Sequence, residues 1–194
     1  MKNIFVMLLT TVLFTLCACR KEGPAGPAGK DGENGNANIT AKKFTTMAST
    51  WKYPGHYALD YGNNQVKLHF SKYITVEAPE ITKDVIDNGL VLVYMIPKGV
   101  HNWMPLPLSF QAASPSDVVH NFAYEYRQGT LTIHYYWTAN TTGKLVPDGL
   151  ETTLMPFYNF RYVVASGVMT DKMKASGLNT QDPVAVELAL SGGL

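Results

Sequence analysis

The sequence predicts a mainly β domain, an antiparallel β-sandwich or barrel-like fold with one or two short helices. Three observations favour this class. The 194 residues include 11 Tyr, 8 Phe and 3 Trp, and aromatic residues are enriched in strands. In residues 39–194, short apolar or alternating segments are separated by Gly, Pro and Asn turn signals. The two cysteines, Cys17 and Cys19, both precede this domain, so packing rather than a disulfide has to stabilise it.

Residues 1–18 are predicted to form a lipoprotein signal peptide. A basic second residue is followed by the apolar run 4–16, which is shorter than the roughly 20 residues of a membrane span. The next residues, Leu16-Cys17-Ala18-Cys19, resemble the bacterial lipobox. This resemblance implies cleavage before Cys19 and attachment of lipid to it. Cleavage before Cys17 is the alternative, which the bulky Leu16 disfavours.

Residues 19–38 are predicted to form a lipidated tether. Gly recurs at every third position of 23–35 and gives the collagen-like triplets GPA, GPA, GKD, GEN and GNA. Pro occurs in only two triplets, so we expect an extended, hydrated spacer rather than a stable triple helix. The charged run Arg20-Lys21-Glu22 is partly similar to the surface-export signal of Bacteroidota-type lipoproteins, and a plain charged cluster is the alternative.

The domain is predicted to contain an early hairpin. A Gly-Asn-Asn turn signal at residues 62–64 precedes a segment in which apolar and polar residues alternate. We therefore expect Val66, Leu68 and Phe70 to share the buried face and His69 to lie on the solvated face.

A short helix and a central strand are predicted next. Thr82 is an acceptable N-cap and Gly89 an acceptable C-terminal residue, with Val85 and Ile86 packing towards the core. The following segment, Leu90–Ile96, is apolar on both faces and is predicted to be the most buried strand.

A second hairpin is predicted from residues 120–126 and 130–137, joined by a turn at Gly129. Phe122, Tyr124 and Tyr126 are expected to share one face of the first strand. One face of the second strand is expected to carry Leu131, Ile133, Tyr135 and Trp137. Tyr158–Ala165 is a further strand. Residues 182–190 fit either a final helix capped by Asp182 or a strand.

The charge balance argues against a nucleic-acid partner. The net charge is +1, and removal of the leader leaves 15 basic and 15 acidic residues. Proteins that bind nucleic acid carry clustered Lys and Arg, which displace counterions from the phosphates.

The sequence contains no catalytic motif, so no catalytic residue, metal ligand or cofactor is predicted. The five His residues occur singly, without the HxH or HExxH spacing of local metal sites. There is no GxSxG nucleophile motif, and the Gly triplets precede the fold rather than follow a strand. An enzyme would have to assemble its site from dispersed Asp, Glu or His residues.

Aromatic residues are the candidates for ligand binding. Trp51 and Tyr53 lie in a Gly- and Pro-containing segment before the first hairpin, and Trp103 lies between strands. Exposed rings of this kind can stack on the faces of sugars, and the alternative is that they fill the core.

The lipobox and Gly triplets, followed by EITKDVIDNGLVLVYM, NWMPLPLSF and FRYVV, resemble a family of small Bacteroidota-type collagen-like lipoproteins. The resemblance implies a surface-exposed lipoprotein of the outer membrane and no particular activity. We therefore expect a non-enzymatic β-domain, held on the membrane through Cys19, that binds an envelope protein or a glycan. The alternative is a glycan-acting hydrolase with a dispersed carboxylate or His site.

Overall fold

Two antiparallel sheets face each other in a computed structural model of the chain, which confirms the predicted β-sandwich. The structure describes residues 39–111, 117–140 and 148–192. The predicted signal peptide, Cys19 and the tether lie outside these ranges. The sheets remain separate layers, so the sandwich describes the domain better than the barrel-like alternative.

The chain crosses between the two sheets several times and adds one to three consecutive strands at each visit. In order they are β1 (Ile39–Thr46), β2 (Lys52–Asp60), β3 (Val66–Ala78), β4 (Leu90–Ile96), β5 (Met104–Pro105), β6 (Leu108–Gln111), β7 (Val118–Arg127), β8 (Gly129–Ala139) and β9 (Tyr158–Ala165). A four-stranded sheet has the order β1-β9-β4-β5, and a five-stranded sheet has the order β2-β3-β8-β7-β6.

Three α-helices accompany the sheets in the described residues: α1 (Lys83–Asn88), α2 (Gly167–Ala175) and α3 (Pro183–Gly192). A 3-10 helix, Ala48–Thr50, links β1 to β2. None of the helices in the described ranges is long and apolar enough to cross a membrane.

Both predicted hairpins form around backbone conformations that their turn residues favour. Between β2 and β3, the φ angles of Gly62, Asn63 and Asn64 are 78°, 52° and 59°, a left-handed region that Gly and Asn tolerate best. Asp60 accepts a hydrogen bond from the backbone N–H of Gly62 at 2.8 Å. Gly129, with φ of 77°, makes the tight turn between β7 and β8.

The central strand β4 is buried on both faces, as predicted. Val91, Val93 and Met95 face the core between the sheets. Leu92 and Tyr94 face the other way and pack with Val186 of α3. The chain after β9 therefore covers the outer face of the four-stranded sheet, which explains why a strand with no polar face is stable there.

An ion pair and a hydrogen bond fasten this C-terminal cover. The side chain of Arg161, on β9, is 5% exposed, and its Nη1 lies 3.1 Å from Oε2 of Glu187 on α3. Tyr94 donates its hydroxyl to the carbonyl oxygen of Thr180 at 2.9 Å. Because a buried guanidinium without a counter-charge would be costly, these contacts help to fix the position of the cover on the sheet.

Capping residues define the helices as predicted. Thr82 accepts a hydrogen bond from the N–H of Val85 at the start of α1. Asp182 accepts from Val184 and Ala185 at 2.9 and 3.3 Å, so residues 182–190 follow the helical alternative. The prediction for Ile86 is wrong, because α1 buries Val85 alone and leaves Ile86 41% exposed.

The prediction of which residues β3 buries is also wrong. Val66, Leu68 and Phe70 are 62%, 65% and 61% exposed, whereas His69 is 6% exposed. The three apolar residues share a face with the core residue Ile74, but among the described strands the part of β3 that carries them pairs only with β2. This part forms a hairpin arm, here defined as residues 56–60 and 66–70, and the apolar side chains on its inner face are exposed.

Aromatic neighbours bury His69 on the opposite face. Its ring lies 5.1 Å from the ring of Tyr136 between centroids. The hydroxyl of Tyr61 lies 3.4 Å from its Nε2. Since strand alternation distinguishes two faces but not what covers each, a polar residue can occupy the better covered face.

Candidate functional site

The uncovered face of the hairpin arm forms one wall of a cavity of about 500 Å³, called here the hairpin cleft. Its rings and apolar side chains are those of Tyr53, Leu68, His69, Phe70, Trp137 and Leu150. Its charged side chains are those of Lys67, Asp148 and Glu151. A cavity of this size that combines rings with a few charged groups has the character of a ligand site.

The loop that closes the cleft is anchored to the sandwich. Leu150 is 8% exposed and belongs to the main core. Lys72, whose pKa is lowered by burial, donates from Nζ to the carbonyl oxygen of Glu151 at 2.8 Å. The hydroxyl of Thr153 bonds to the carbonyl oxygen of Gly149 at 2.9 Å. These contacts hold Asp148 and Glu151 at the cleft before any ligand arrives.

A chain of hydrogen bonds fixes the indole ring in the cleft. Trp137 donates its Nε1–H to the hydroxyl of Tyr135 at 2.7 Å. That hydroxyl lies 2.5 Å from Nδ1 of His120. Burial lowers the pKa of His120. A neutral His120 that accepts a hydrogen bond from the Tyr135 hydroxyl at Nδ1 carries its own N–H on Nε2.

Of the three predicted ligand-binding residues, only Tyr53 lies at the cleft. Trp51 is 8% exposed and packs edge-on against Phe122, with centroids 6.2 Å apart, so it fills the sandwich. Trp103 packs with the cluster on the outer face of the four-stranded sheet, where Nζ of Lys43 lies 5.8 Å from its ring centroid. The structure therefore does not bring the three rings together.

The alternation of the sequence placed Leu68, Phe70 and Trp137 on apolar faces and therefore in the core. Leu68 and Phe70 carry the apolar half of an alternating strand, which normally indicates burial. Trp137 lies on the inner face of β8, near the end of the strand. It packs beside the core and also lines the cleft. The unusual density of rings in the chain was the only sequence signal for a binding surface.

A second chemically suggestive cluster lies on the outer face of the five-stranded sheet. Oγ of Ser71 lies 3.0 Å from Nδ1 of His134, and Nε2 of His134 lies 3.6 Å from Oε1 of Glu125. These are the residue types of a hydrolytic triad. Burial lowers the pKa of His134, while Glu125 acts in the opposite direction.

Unlike the nucleophile of an active site, the Ser71 hydroxyl of this cluster is closed to solvent and substrate. Ser71 is 0% exposed and His134 is 3% exposed. A Cβ at Gly55 would lie 2.5 Å from the ring of Tyr73 and 2.9 Å from Oγ of Ser71. Because Gly55 has no side chain, the Tyr73 ring and the Ser71 hydroxyl can pack directly against β2. In this packing no substrate carbonyl can reach the Ser71 hydroxyl.

Within residues 39–111, 117–140 and 148–192, no group of three or more His, Cys, Asp or Glu residues is arranged to hold a metal ion.

The chain matches no protein-family model, no curated protein and no solved structure. The chemistry of the hairpin cleft is therefore the basis on which function is inferred.

Proposed function

We propose that this protein is a membrane-anchored lipoprotein of the collagen-like Bacteroidota type, whose β-sandwich binds a glycan in the hairpin cleft. Cys19 carries the lipid, and residues 19–38 hold the domain away from the outer membrane surface. The protein acts by binding an envelope or extracellular component and not by catalysis.

The observation that carries the proposal is the composition of the cleft wall. Phe70 is 61% exposed and Tyr53 is 37% exposed, although both rings are large and apolar. Exposed rings beside Asp148 and Glu151 suit a sugar, because ring faces stack on its C–H groups while carboxylates accept hydrogen bonds from its hydroxyls. A purely apolar ligand would leave those carboxylates without partners.

A glycan hydrolase is the second candidate, and one observation favours it. Asp148 and Glu151 line the same cleft, and glycoside hydrolysis commonly uses two carboxyl groups on either side of the scissile bond. In the binding proposal, the same two groups hold the sugar and leave its linkages intact.

A panel of envelope and extracellular polysaccharides tests the proposal. We expect the purified lipoprotein to retain at least one member of the panel. Phe70→Ala and Tyr53→Ala should each weaken that binding by roughly tenfold, the loss of about 1.4 kcal/mol expected for a central ring. Tyr126→Ala is the matched control, because Tyr126 is 37% exposed, like Tyr53, but does not line the cleft.

The same panel separates the two candidates. Release of new reducing ends by the wild-type protein, abolished by Asp148→Asn or Glu151→Gln, would establish the hydrolase. Equal loss of binding in Tyr126→Ala and Phe70→Ala would place the ligand outside the cleft and refute the proposal.

A further inference from the structure

A second cavity, of about 490 Å³, lies beside β6 and the later part of the loop that closes the hairpin cleft. Its apolar wall contains Met104, Leu108, Phe110, Leu154 and Tyr158. Trp137 lines the hairpin cleft and Tyr135 lines this cavity, so the hydrogen bond between them joins the two walls.

The polar groups of this cavity differ in charge from those of the hairpin cleft. Its described lining includes Lys98 and no Asp or Glu. His120 also lines it, and in the tautomer that accepts the Tyr135 hydroxyl at Nδ1, Nε2 of that ring is an N–H donor. A cation and a donor beside an apolar wall complement a ligand that has an apolar body and one anionic group.

The rim supplies an independent reason to expect an apolar ligand. Leu154 lines the cavity and is 85% exposed, and the nearby Phe157 is 73% exposed. Met155, between them in sequence, is buried in the core and anchors this stretch of the loop. Large apolar side chains displayed beside an apolar cavity mark a binding site more often than an isolated exposed residue does.

We infer that this cavity binds a free fatty acid, with the hydrocarbon chain against the apolar wall and the carboxylate paired with Lys98. His120 serves as a neutral hydrogen-bond donor, and Leu154 covers the chain at the rim. This site is separate from the proposed glycan site and does not depend on it.

Calorimetric titration of the mature chain with sodium dodecanoate, below its micelle concentration, tests the inference. Expression of residues 20–194 alone omits both the lipid on Cys19 and the apolar run 4–16, and so avoids the need for detergent. We expect one dodecanoate per chain. Lys98→Gln should weaken dodecanoate binding by about fivefold, as expected for loss of one exposed ion pair, without changing the binding of neutral dodecanol.

Leu154→Ser should weaken the binding of both dodecanoate and dodecanol. Val184→Ser is the matched control, because Val184 is 65% exposed on α3, away from the cavity. Circular dichroism melts of these variants check that each remains folded, which both exposed positions permit.

Three results would overturn the inference. The first is an absence of saturable dodecanoate binding. The second is dodecanoate binding that Leu154→Ser leaves unchanged, which would place the ligand elsewhere. The third is that the protein sediments with phosphatidylcholine vesicles, that Leu154→Ser abolishes this sedimentation and that dodecanoate does not compete with the vesicles. That result would make this rim a membrane contact. Equal affinity for dodecanol and dodecanoate would refute the role of Lys98.

Discussion

Replacing a phenylalanine by alanine at two positions gives a direct test of which face of β3 is buried. Phe122 is 0% exposed and contacts five other rings, the nearest being Tyr135 with centroids 4.9 Å apart. Phe70 is 61% exposed and contacts the ring of His56 at 5.1 Å. The same chemical change therefore removes very different amounts of packing at the two positions.

The expected costs differ by several kcal/mol. Truncating a fully buried Phe to Ala typically costs about 3–5 kcal/mol, and the ring contacts of Phe122 place it towards the upper end. The corresponding change at an exposed position stays within about 0.5 kcal/mol. A typical domain has a stability of only ~5–15 kcal/mol, so Phe122→Ala removes a large fraction and Phe70→Ala very little.

Urea unfolding, followed by tryptophan fluorescence, measures both effects. Trp51 packs against Phe122 and reports on the core. With a slope of about 2 kcal/mol per molar urea, Phe122→Ala should lower the midpoint by about 2 M, and Phe70→Ala by less than about 0.3 M. A comparable loss in Phe70→Ala would mean that β3 buries the face that its alternation predicts, and it would remove the hairpin cleft from the structure.

Three further predictions concern the anchor, the tether and the buried histidines. Cys19→Ala should abolish metabolic labelling with lipid, whereas labelling lost only in Cys17→Ala would move the anchor. Residues 23–38 should be cleaved readily by protease and show no triple-helix melt, and a trimer that disappears when they are removed would contradict the spacer. Burial lowers the pKa of His134 below the ordinary value of about 6.5, so the unfolded chain takes up the proton first, and stability falls as the pH drops below 6.5. Stability measured between pH 7.5 and 5 should therefore decline less in His134→Gln than in the wild type, and an identical decline would refute this assignment.

The sequence predicted the elements of the fold better than their surroundings. The segment Leu90–Ile96 predicts a buried strand because neither of its faces is polar, and the structure buries both faces. Turn chemistry at Gly129 and at residues 62–64 placed two hairpins correctly, since only a few residue types adopt positive φ without strain. Strand hydrophobicity and turn chemistry are local properties, so they can be identified from the sequence of the segment itself.

The candidate site depended on properties that are not local. Phe70 and Ile74 share one face of β3, yet the first is exposed and the second is buried. Their difference comes from the extent of the neighbouring strands, which the sequence of β3 does not contain. Tyr53 was identified because it lies among turn signals, whereas Asp148 reaches the cleft through a loop whose position depends on the distant Lys72.

The pairing of the first strand with the last sets the order of events during biosynthesis. Thr46 of β1 pairs with Tyr158 of β9, 112 positions later. At about 5–20 residues per second, a ribosome needs roughly 6–22 s to make the intervening chain. Through that interval the four-stranded sheet lacks the strand that joins β1 to β4, and such long-range pairing is also slow to form. The N-terminal part of the chain thus leaves the ribosome well before its own sheet can close.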